Sequence, residues 1–307
     1  IMGILRSDRV SGLGGANAIN GSAFFSGGTG IETAPFDDLY FGTNALTMEM
    51  WVYFTGFEPD FMTFLKTGDT NGANSMWQWD YKVSDNTMRF IPYVSDSSVV
   101  YASSWTPVAD TWYHIAVSKS GTSIKLWVDG TQIGSTHTFS QTWDNEVKGM
   151  AIGHRAMGSY ERDFEGYMSN LRIINGTALY TANFTPPTTR LEKTSDTVFL
   201  AFQSPGDVLK EETGKILYPA TDGKSSAPAV ASRFAPDVGE DHGITFEDNT
   251  KFDTLSYMVP PGGTTAQRGR GRGVMGGFYA APSYTTRMDY LNIQSLGNSI
   301  QFGNLSV

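Results

Sequence analysis

The chain has 307 residues, of which 40% are hydrophobic and 17% are charged, so it is long enough to bury a sizeable core without covalent staples. Its formal net charge of −9 argues against a general affinity for nucleic acid, and the lack of cysteine excludes disulfides and cysteine-based metal sites or nucleophiles. No run of about 18 apolar residues occurs, so the sequence predicts no membrane span.

Short segments in which apolar and polar residues alternate predict β-strands rather than helices. Before the first of them, residues 1–21 are rich in Gly, Ala and Asn and are expected to form an N-terminal arm that gains order from neighbouring chains. Several short strands with turn signals between them favour an all-β, antiparallel sandwich. The strand segments are 47–54, 76–81, 88–94, 111–120 and 123–134.

The clearest local signal is the hairpin sequence SIKLWVDGTQIG at 123–134. Its first half alternates, and Asp129-Gly130 predicts a type I′ turn between two strands. Apolar residues that share one phase of the alternation are expected to be buried together. The predicted core residues are Ile115, Val117, Ile124, Leu126, Val128, Leu171 and Ile173.

A later strand, within FEGYMSNLRIINGTALYTANFTPP, changes the phase of its alternation. Met168 lies on one phase, whereas Leu171 and Ile173 lie on the other. A single strand that buries all three side chains needs an extra residue on its path, so we predict a β-bulge near residues 169–170.

The end of that stretch, LYTANFTPP, carries no group that does chemistry. We expect Tyr180 and Phe184 to fold back onto the sandwich. Pro186-Pro187 then prevents further strand pairing and is predicted to end the domain. The segment is therefore interpreted as a structural lock.

Three segments in combination, TWYHIAVSKSGTSIKLWVDGTQIG, IGHR and FEGYMSNLRIINGTALYTANFTPP, resemble the concanavalin A-like, laminin-G-type jelly roll. The form with this proline-rich exit is similar to domains of bacteriophage (cyanophage-like) virion structural proteins. The resemblance covers residues 22–190. It implies a jelly-roll sandwich with an N-terminal arm and a smaller β-rich C-terminal region.

The flanking segments resemble parts of the same virion proteins. Residues 6–22 resemble their N-terminal arms, and residues 270–307 resemble a repeat unit found in them. We therefore divide the chain into an arm (1–21), the jelly roll (22–190), a β-rich or irregular connecting region (191–267) and a Gly-rich, repeat-like unit (268–307).

The resemblance implies a structural protein of a tailed phage, a capsid decoration or surface appendage component. Its partners would be other virion proteins (the major capsid protein or tail components) and further copies of itself, with no nucleic acid and no membrane. Its location would be the virion surface, after assembly in the host cytoplasm. The alternative is a carbohydrate-binding adhesin, a tail fibre or receptor-binding protein whose partner is a host-surface glycan.

Enzymatic chemistry is not predicted. Glycan hydrolysis on such a sandwich needs two carboxylates that flank the scissile bond, and no E-x-D-x-x-E run occurs. The four histidines lack zinc-binding spacing, and neither a phosphate-binding loop nor a G-x-S-x-G elbow is present. The nearest acid clusters, interpreted as solvated turn residues, are Asp37-Asp38, Glu161 with Asp163, and Glu211-Glu212.

A sugar-binding interpretation needs exposed aromatic rings beside polar groups. The candidates for these ligand contacts are Trp77, Trp79 and Trp105.

Calcium is the one cofactor considered, because sandwiches of the family that the chain resembles often hold it at the rim with Asp, Asn and carbonyl oxygens. The candidate ligands lie in the loop TGDTNGANS, where turn chemistry alone also explains the sequence. They are Asp69, Asn71 and Asn74.

The segment QRGRGRGVMGG alternates arginine with glycine. With a net charge of −9, an intersubunit arm that pairs with carboxylates of a neighbour is favoured over nucleic-acid binding. The residues of this predicted arm are Arg268, Arg270 and Arg272.

Overall fold

A computed structural model of the protein describes residues 19–68, 75–145, 148–155, 162–220, 229–236, 272–276, 279–280, 283–284, 287–292 and 300–304. Its first compact unit, Ile1–His242, contains sixteen strands and a 3-10 helix at Asp37–Leu39 among the described residues. The strands are β1 (Ser22–Ser26), β2 (Ile31–Thr33), β3 (Leu46–Phe54), β4 (Phe61–Thr67), β5 (Trp77–Lys82), β6 (Thr87–Val94), β7 (Ser97–Ser98), β8 (Tyr101–Ser104), β9 (Trp112–Ser120), β10 (Ser123–Val128), β11 (Thr131–Thr138), β12 (Met150–Ile152), β13 (Glu165–Asn175), β14 (Thr197–Ala201), β15 (Leu217–Pro219) and β16 (Val230–Ser232).

A second compact unit covers Gly243–Val307. Antiparallel pairing joins its described strands into a three-stranded sheet, β17-β20-β21, and a two-stranded sheet, β18-β19. These strands are β17 (Arg272–Gly276), β18 (Tyr279–Ala280), β19 (Ser283–Tyr284), β20 (Arg287–Asn292) and β21 (Ile300–Asn304). Among all the residues that the structure describes, no helix is long and apolar enough to cross a membrane.

The first unit is a sandwich of two eight-stranded antiparallel sheets. The first sheet has the order β11-β10-β9-β3-β13-β1-β16, with β14 also paired to β13. The second has the order β15-β2-β12-β4-β5-β6-β7, with β8 also paired to β6. The predicted all-β, jelly-roll fold class is confirmed.

The core lies between the two sheets, and aromatic rings from both of them meet there. The ring of Phe54, on β3 of the first sheet, lies 6.1 Å from Phe64 and 5.8 Å from Tyr81, on β4 and β5 of the second. Edge-to-face and tilted rings at such separations stabilise a core beyond the area they bury. Among the predicted core residues, six are 0% exposed and Val128 is 9% exposed, which confirms the prediction.

Two local sequence signals are also confirmed. Asp129 and Gly130 have φ values of 47° and 75° at the tip of the β10–β11 hairpin, as a type I′ turn requires. The pairing of β13 with β3 shifts between Ser169 and Arg172, and Asn170 has a φ of 55°. This bulge lets Met168 and the later apolar residues of β13 all point into the core.

The exit segment packs on the outward side of the first sheet, as the sequence predicts. The rings of Tyr180 and Phe184 stack 3.5 Å apart at an interplanar angle of 7°. The backbone N–H of Phe184 donates to the carbonyl of Gly130 at 2.9 Å, and a Cβ at that glycine would lie 1.8 Å from the carbonyl oxygen of Phe184. The lock therefore depends on a glycine at the hairpin tip.

The sandwich does not end at Pro186-Pro187, because the described residues of 191–220 and 229–232 add strands to both sheets. Beyond the prolines, β14 pairs with β13, β15 pairs with β2, and β16 pairs with β1. Proline removes a hydrogen-bond donor locally, but it does not stop the chain from returning to an open sheet edge a few residues later.

Under the lock lies a buried carboxylate, Glu49, which is 0% exposed. It accepts hydrogen bonds from Arg172 at 2.9 and 2.5 Å and from the hydroxyl of Tyr180 at 2.6 Å, and Nε2 of His114 lies 3.2 Å away. Burial alone would raise the pKa of Glu49, but the hydrogen bond with His114 and the charge of Arg172 outweigh it and hold that pKa below its ordinary value.

The core assignment predicts that Leu126→Ala lowers the free energy of unfolding by about 2–5 kcal/mol, because a fully buried side chain leaves a cavity. Chemical denaturation monitored by tryptophan fluorescence measures the change. Ser135→Ala, at an exposed position of β11, is the matched control and should be nearly neutral. A Leu126→Ala protein with wild-type stability would contradict the assignment.

The Glu49 cluster predicts that Glu49→Gln lowers the free energy of unfolding by about 3–5 kcal/mol near neutral pH, because Arg172 stays buried without its partner. Since the folded pKa of Glu49 is depressed, its ionised form stabilises the protein above the ordinary value of 4.5, and that contribution is lost as the pH falls through the folded pKa. The stability gap between wild type and variant should therefore narrow below pH 4.5.

Urea titrations at a series of pH values measure this gap. Asp85→Asn is the control, because Asp85 forms an exposed ion pair with Lys82 at 2.6 Å and should matter little at any pH. A gap of constant size across the acid range would show that the charge of Glu49 is not what stabilises the cluster.

Candidate functional site

The three tryptophans expected to meet a ligand are core residues. Trp77 and Trp79 on β5 are 0% exposed, and Trp105 is 8% exposed. Trp77 also donates its indole N–H to the carbonyl of Leu39 at 3.1 Å. Side chains alternate along a strand, and these indoles occupy inward positions, so a ligand would have to contact other residues.

The predicted calcium ligands, Asp69, Asn71 and Asn74, lie outside the described residues. In the part of the chain that the structure does describe, no group of three or more acidic or histidine side chains is arranged to hold a metal ion. A calcium site in that loop stays a prediction.

The predicted intersubunit arm also falls largely outside the description. Arg268 and Arg270 are not among the described residues, and Arg272 is placed only as the first residue of β17. Its role as an arm stays a prediction.

The outward side of the second sheet carries charged side chains at the positions that alternate with the buried tryptophans. The strand register places Asp80 of β5 opposite Thr63 of β4 and Arg89 of β6. Two further arginines come from the segment between β12 and β13. We call this surface the arginine face, formed by Phe61, Asp80, Arg89, Tyr93, Arg155 and Arg162.

A two-pronged ion pair lies at the centre of the arginine face. Asp80 is 0% exposed and accepts hydrogen bonds from Nε of Arg89 at 2.7 Å and from Nη2 at 2.6 Å. The side-chain amide of Gln78 donates to the same carboxylate. Such parallel bonds fix the plane of a guanidinium group as well as its position.

Three cationic side chains lie close to the ring of Phe61. The guanidinium carbon of Arg162 lies 4.0 Å from the ring centroid, that of Arg89 lies 4.8 Å away, and the ammonium of Lys82 lies 5.5 Å away. Cations within about 6 Å of an aromatic ring are attracted to its electron-rich face. Phe61 therefore helps to hold the guanidinium groups in place.

Arg162 is fixed to the sheet through its backbone but not through its side-chain Nε. The backbone N–H of Thr63 on β4 donates to the carbonyl of Arg162 at 3.1 Å. The Nε atom is buried, and no acceptor among the described residues takes its hydrogen. A buried donor without an acceptor costs free energy, which a ligand that supplies the acceptor recovers.

Electrostatic effects link the charged groups of this face. Burial and the nearby charge of Arg155 lower the pKa of Arg162, Asp80 opposes that effect, and Arg89 adds to it. Burial also raises the pKa of Tyr93, a side chain that is 6% exposed. The arrangement offers preset guanidinium donors beside a phenol, a combination suited to ligands rich in oxygen acceptors.

A second surface, on the outward side of the first sheet, is aromatic. The ring of Phe234, which is 42% exposed, lies 4.8 Å from Tyr53, 4.8 Å from Tyr167 and 5.4 Å from Trp112. We call these four residues the aromatic platform. The hydroxyl of Tyr53 is already bound to Asp110 at 3.1 Å, whereas the buried indole N–H of Trp112 has no acceptor among the described residues.

The sequence interpretation missed the arginine face, although part of its signal was present. In WQWDYK, the period of two that buries Trp77 and Trp79 also places Gln78 and Asp80 on the opposite side. No local pattern, however, brings Arg162 to that side, because it arrives from a segment about eighty residues further along the chain.

Several solved structures are similar to this chain. A putative carbohydrate-binding protein of Bacteroides ovatus is 15% identical with a TM-score of 0.48, over 72% of this chain and 61% of that one. A SAP-like pentraxin of Limulus polyphemus is 13% identical with a TM-score of 0.42, over 68% of this chain and 98% of that one. The module CBM40 of the Ruminococcus gnavus IT-sialidase is 13% identical with a TM-score of 0.42, over 53% of this chain and 94% of that one.

This chain therefore spans less than two thirds of the first of these proteins. A search of the curated proteins found no match.

A protein-family comparison identifies the sandwich more firmly. The Laminin_G_3 family, described as the concanavalin A-like lectin/glucanases superfamily, matches residues 25–181. That span is just over half of the 307 residues, and it runs from β1 to the lock segment that ends the predicted jelly roll. The chain belongs to the Laminin_G_3 family of the concanavalin A-like lectin/glucanases superfamily.

Proposed function

We propose that this chain is a non-catalytic, carbohydrate-binding protein and that the arginine face is its binding surface. The observation that carries the proposal is the preset group of donors on the outward side of the second sheet, with the buried Nε of Arg162 lacking an acceptor among the described residues. Membership in a lectin superfamily and the solved carbohydrate-binding proteins of similar fold are consistent with it.

The chemistry of the face suits saccharides. Sugar hydroxyl and ring oxygens are acceptors, and planar guanidinium groups offer several donors in a fixed fork. Arg89 is held by Asp80, and Arg162 is held against Phe61, so little side-chain entropy is left to lose when a ligand binds. Preorganised donors of this kind favour recognition over chance contacts.

The same geometry supports a binding role rather than hydrolysis. A glycosidase needs two carboxyl groups about 5–9.5 Å apart, one of them able to carry a proton. The carboxylate of the arginine face, Asp80, is fully buried and accepts two hydrogen bonds from Arg89, so both of its oxygens are already occupied. We therefore assign the face no catalytic step.

The sequence interpretation favoured a structural component of a phage particle and kept a carbohydrate-binding adhesin as the alternative, and the family match and the similar solved structures support the carbohydrate-binding alternative better. The phage roles rest on the resemblance described above, and much of the two flanking segments lies outside the described residues. A role at the virion surface, with other virion proteins or further copies of the chain as partners, stays a prediction.

Binding to a glycan array tests the proposed function. We expect the purified chain to retain a subset of glycans and Arg162→Gln to weaken that binding about ten- to hundredfold, the effect of one charge-assisted hydrogen bond. The matched control is Arg233→Gln, the same change at an exposed arginine that follows β16 on the other sheet.

Two results would contradict the proposal. One is the absence of any retained glycan. The other is an equal loss of binding in Arg162→Gln and Arg233→Gln, which would mean that overall charge, and not the arginine face, holds the sugar.

A further inference from the structure

The arginine face is unusual for its sign of charge. The chain as a whole carries a formal net charge of −9, yet on this surface the guanidinium groups of Arg89 and Arg162 both lie within 5 Å of the centre of the Phe61 ring. Asp80 accepts two hydrogen bonds from Arg89. It makes no hydrogen bond with Arg162 and acts on that residue only through the weaker attraction of its charge. Among the described residues, no carboxylate lies within 4.0 Å of the guanidinium of Arg162.

Neighbouring charged groups do not supply the missing anion. Lys82 is paired with Asp85 at 2.6 Å. Asp60 accepts a hydrogen bond from the backbone of Ser84 at 2.7 Å. Asp163, next in sequence to Arg162, accepts one from the backbone N–H of Gly28 at 3.0 Å. These carboxylates have other partners, and none of them forms an ion pair with Arg162.

This arrangement has an energetic consequence. Like charges held close together in a partly buried site repel each other, and burial adds a desolvation cost to each of them. An anionic group placed against Arg162 relieves both effects and gives its Nε an acceptor. A neutral sugar supplies the acceptor but leaves the repulsion between the guanidinium groups in place.

We infer that the ligand of the arginine face is an acidic saccharide, whose carboxylate or sulfate group is held by Arg162 with Arg89 beside it. The inference rests on the proposed function and names the class of sugar. Because the chain is acidic overall, a single acidic sugar unit fits better than a long polyanion, which the remaining surface would repel.

Matched pairs of glycans test this inference. Each acidic glycan, bearing a uronic acid, a nonulosonic acid or a sulfate ester, is compared with its neutral parent or its methyl ester on the same array and then by calorimetry. We expect acidic members to bind at least about tenfold more tightly than their neutral partners. Comparison of the carboxylate-bearing with the sulfate-bearing glycans shows which anion the site prefers. Added sodium chloride should weaken the binding of both kinds of acidic glycan.

Two variants of one residue separate charge from geometry. Arg162→Gln should abolish the preference for the acidic member of each pair, whereas Arg162→Lys keeps the charge but loses the fork and should retain an intermediate preference. Arg233→Gln should behave as wild type. Thermal unfolding of each variant verifies that the protein is folded, and we expect little change, because the Nε of Arg162 makes no hydrogen bond to the described residues.

The outcomes distinguish this inference from the proposed function. Equal affinity for acidic and neutral members, lost in Arg162→Gln, overturns the inference and leaves the carbohydrate-binding proposal standing. Binding of neither member overturns both. A preference for acidic glycans that persists in Arg162→Gln would mean that the acidic group binds at another surface, which contradicts the assignment of the site to the arginine face.

Discussion

The two-residue period of β5 is the constraint on which both the core and the candidate site depend. It points Trp77 and Trp79 into the space between the sheets, where they are fully buried, and it points Gln78 and Asp80 to the opposite side. A one-residue slip in the pairing of β5 would place the carboxylate of Asp80 among the aromatic rings of the core and the two indoles on the opposite side of the sheet. The core thus fixes the register, and the register fixes the site.

From that register, the arginine face is assembled by successive contacts. Asp80 fixes Arg89 through two parallel hydrogen bonds, and Phe61 holds both Arg89 and Arg162 within 5 Å of its ring centre. Arg162 is joined to β4 through its own backbone, and its Nε has no acceptor among the described residues. The outward side of the first sheet differs, because there the lock segment covers Glu49 and Arg172 and satisfies them internally.

Features that depend on neighbouring residues were predictable from the sequence. The hairpin at Asp129-Gly130 follows from turn chemistry, and the phase change in β13 follows from counting apolar positions. Even the packing of Tyr180 and Phe184 could be anticipated, because an apolar pair beside two prolines needs a surface to cover. Each of these predictions requires knowledge of only a few adjacent residues.

Features that depend on distant residues were not predictable in the same way. The return of β14, β15 and β16 to the sheets is set by open edges that exist only after the rest has folded. The burial of the tryptophans was misjudged because an indole suits both a core and a sugar-binding surface. Only the residues that alternate with the tryptophans along β5, Gln78 and Asp80, indicate which side of the strand faces the core. Arg162 lies near Arg89 although more than seventy residues separate them in the sequence, and a periodic pattern along the chain does not predict such a contact.

The central claim is that a ligand binds at Arg162 and not on the aromatic platform. Side-chain NMR measures this most directly, by following the arginine Nε–Hε and tryptophan Nε1–H signals during titration with an acidic saccharide. The account predicts a saturable shift of the Arg162 signal with a smaller one at Arg89, while that of Trp112 stays unchanged. A shift at Trp112 with none at Arg162 would contradict it.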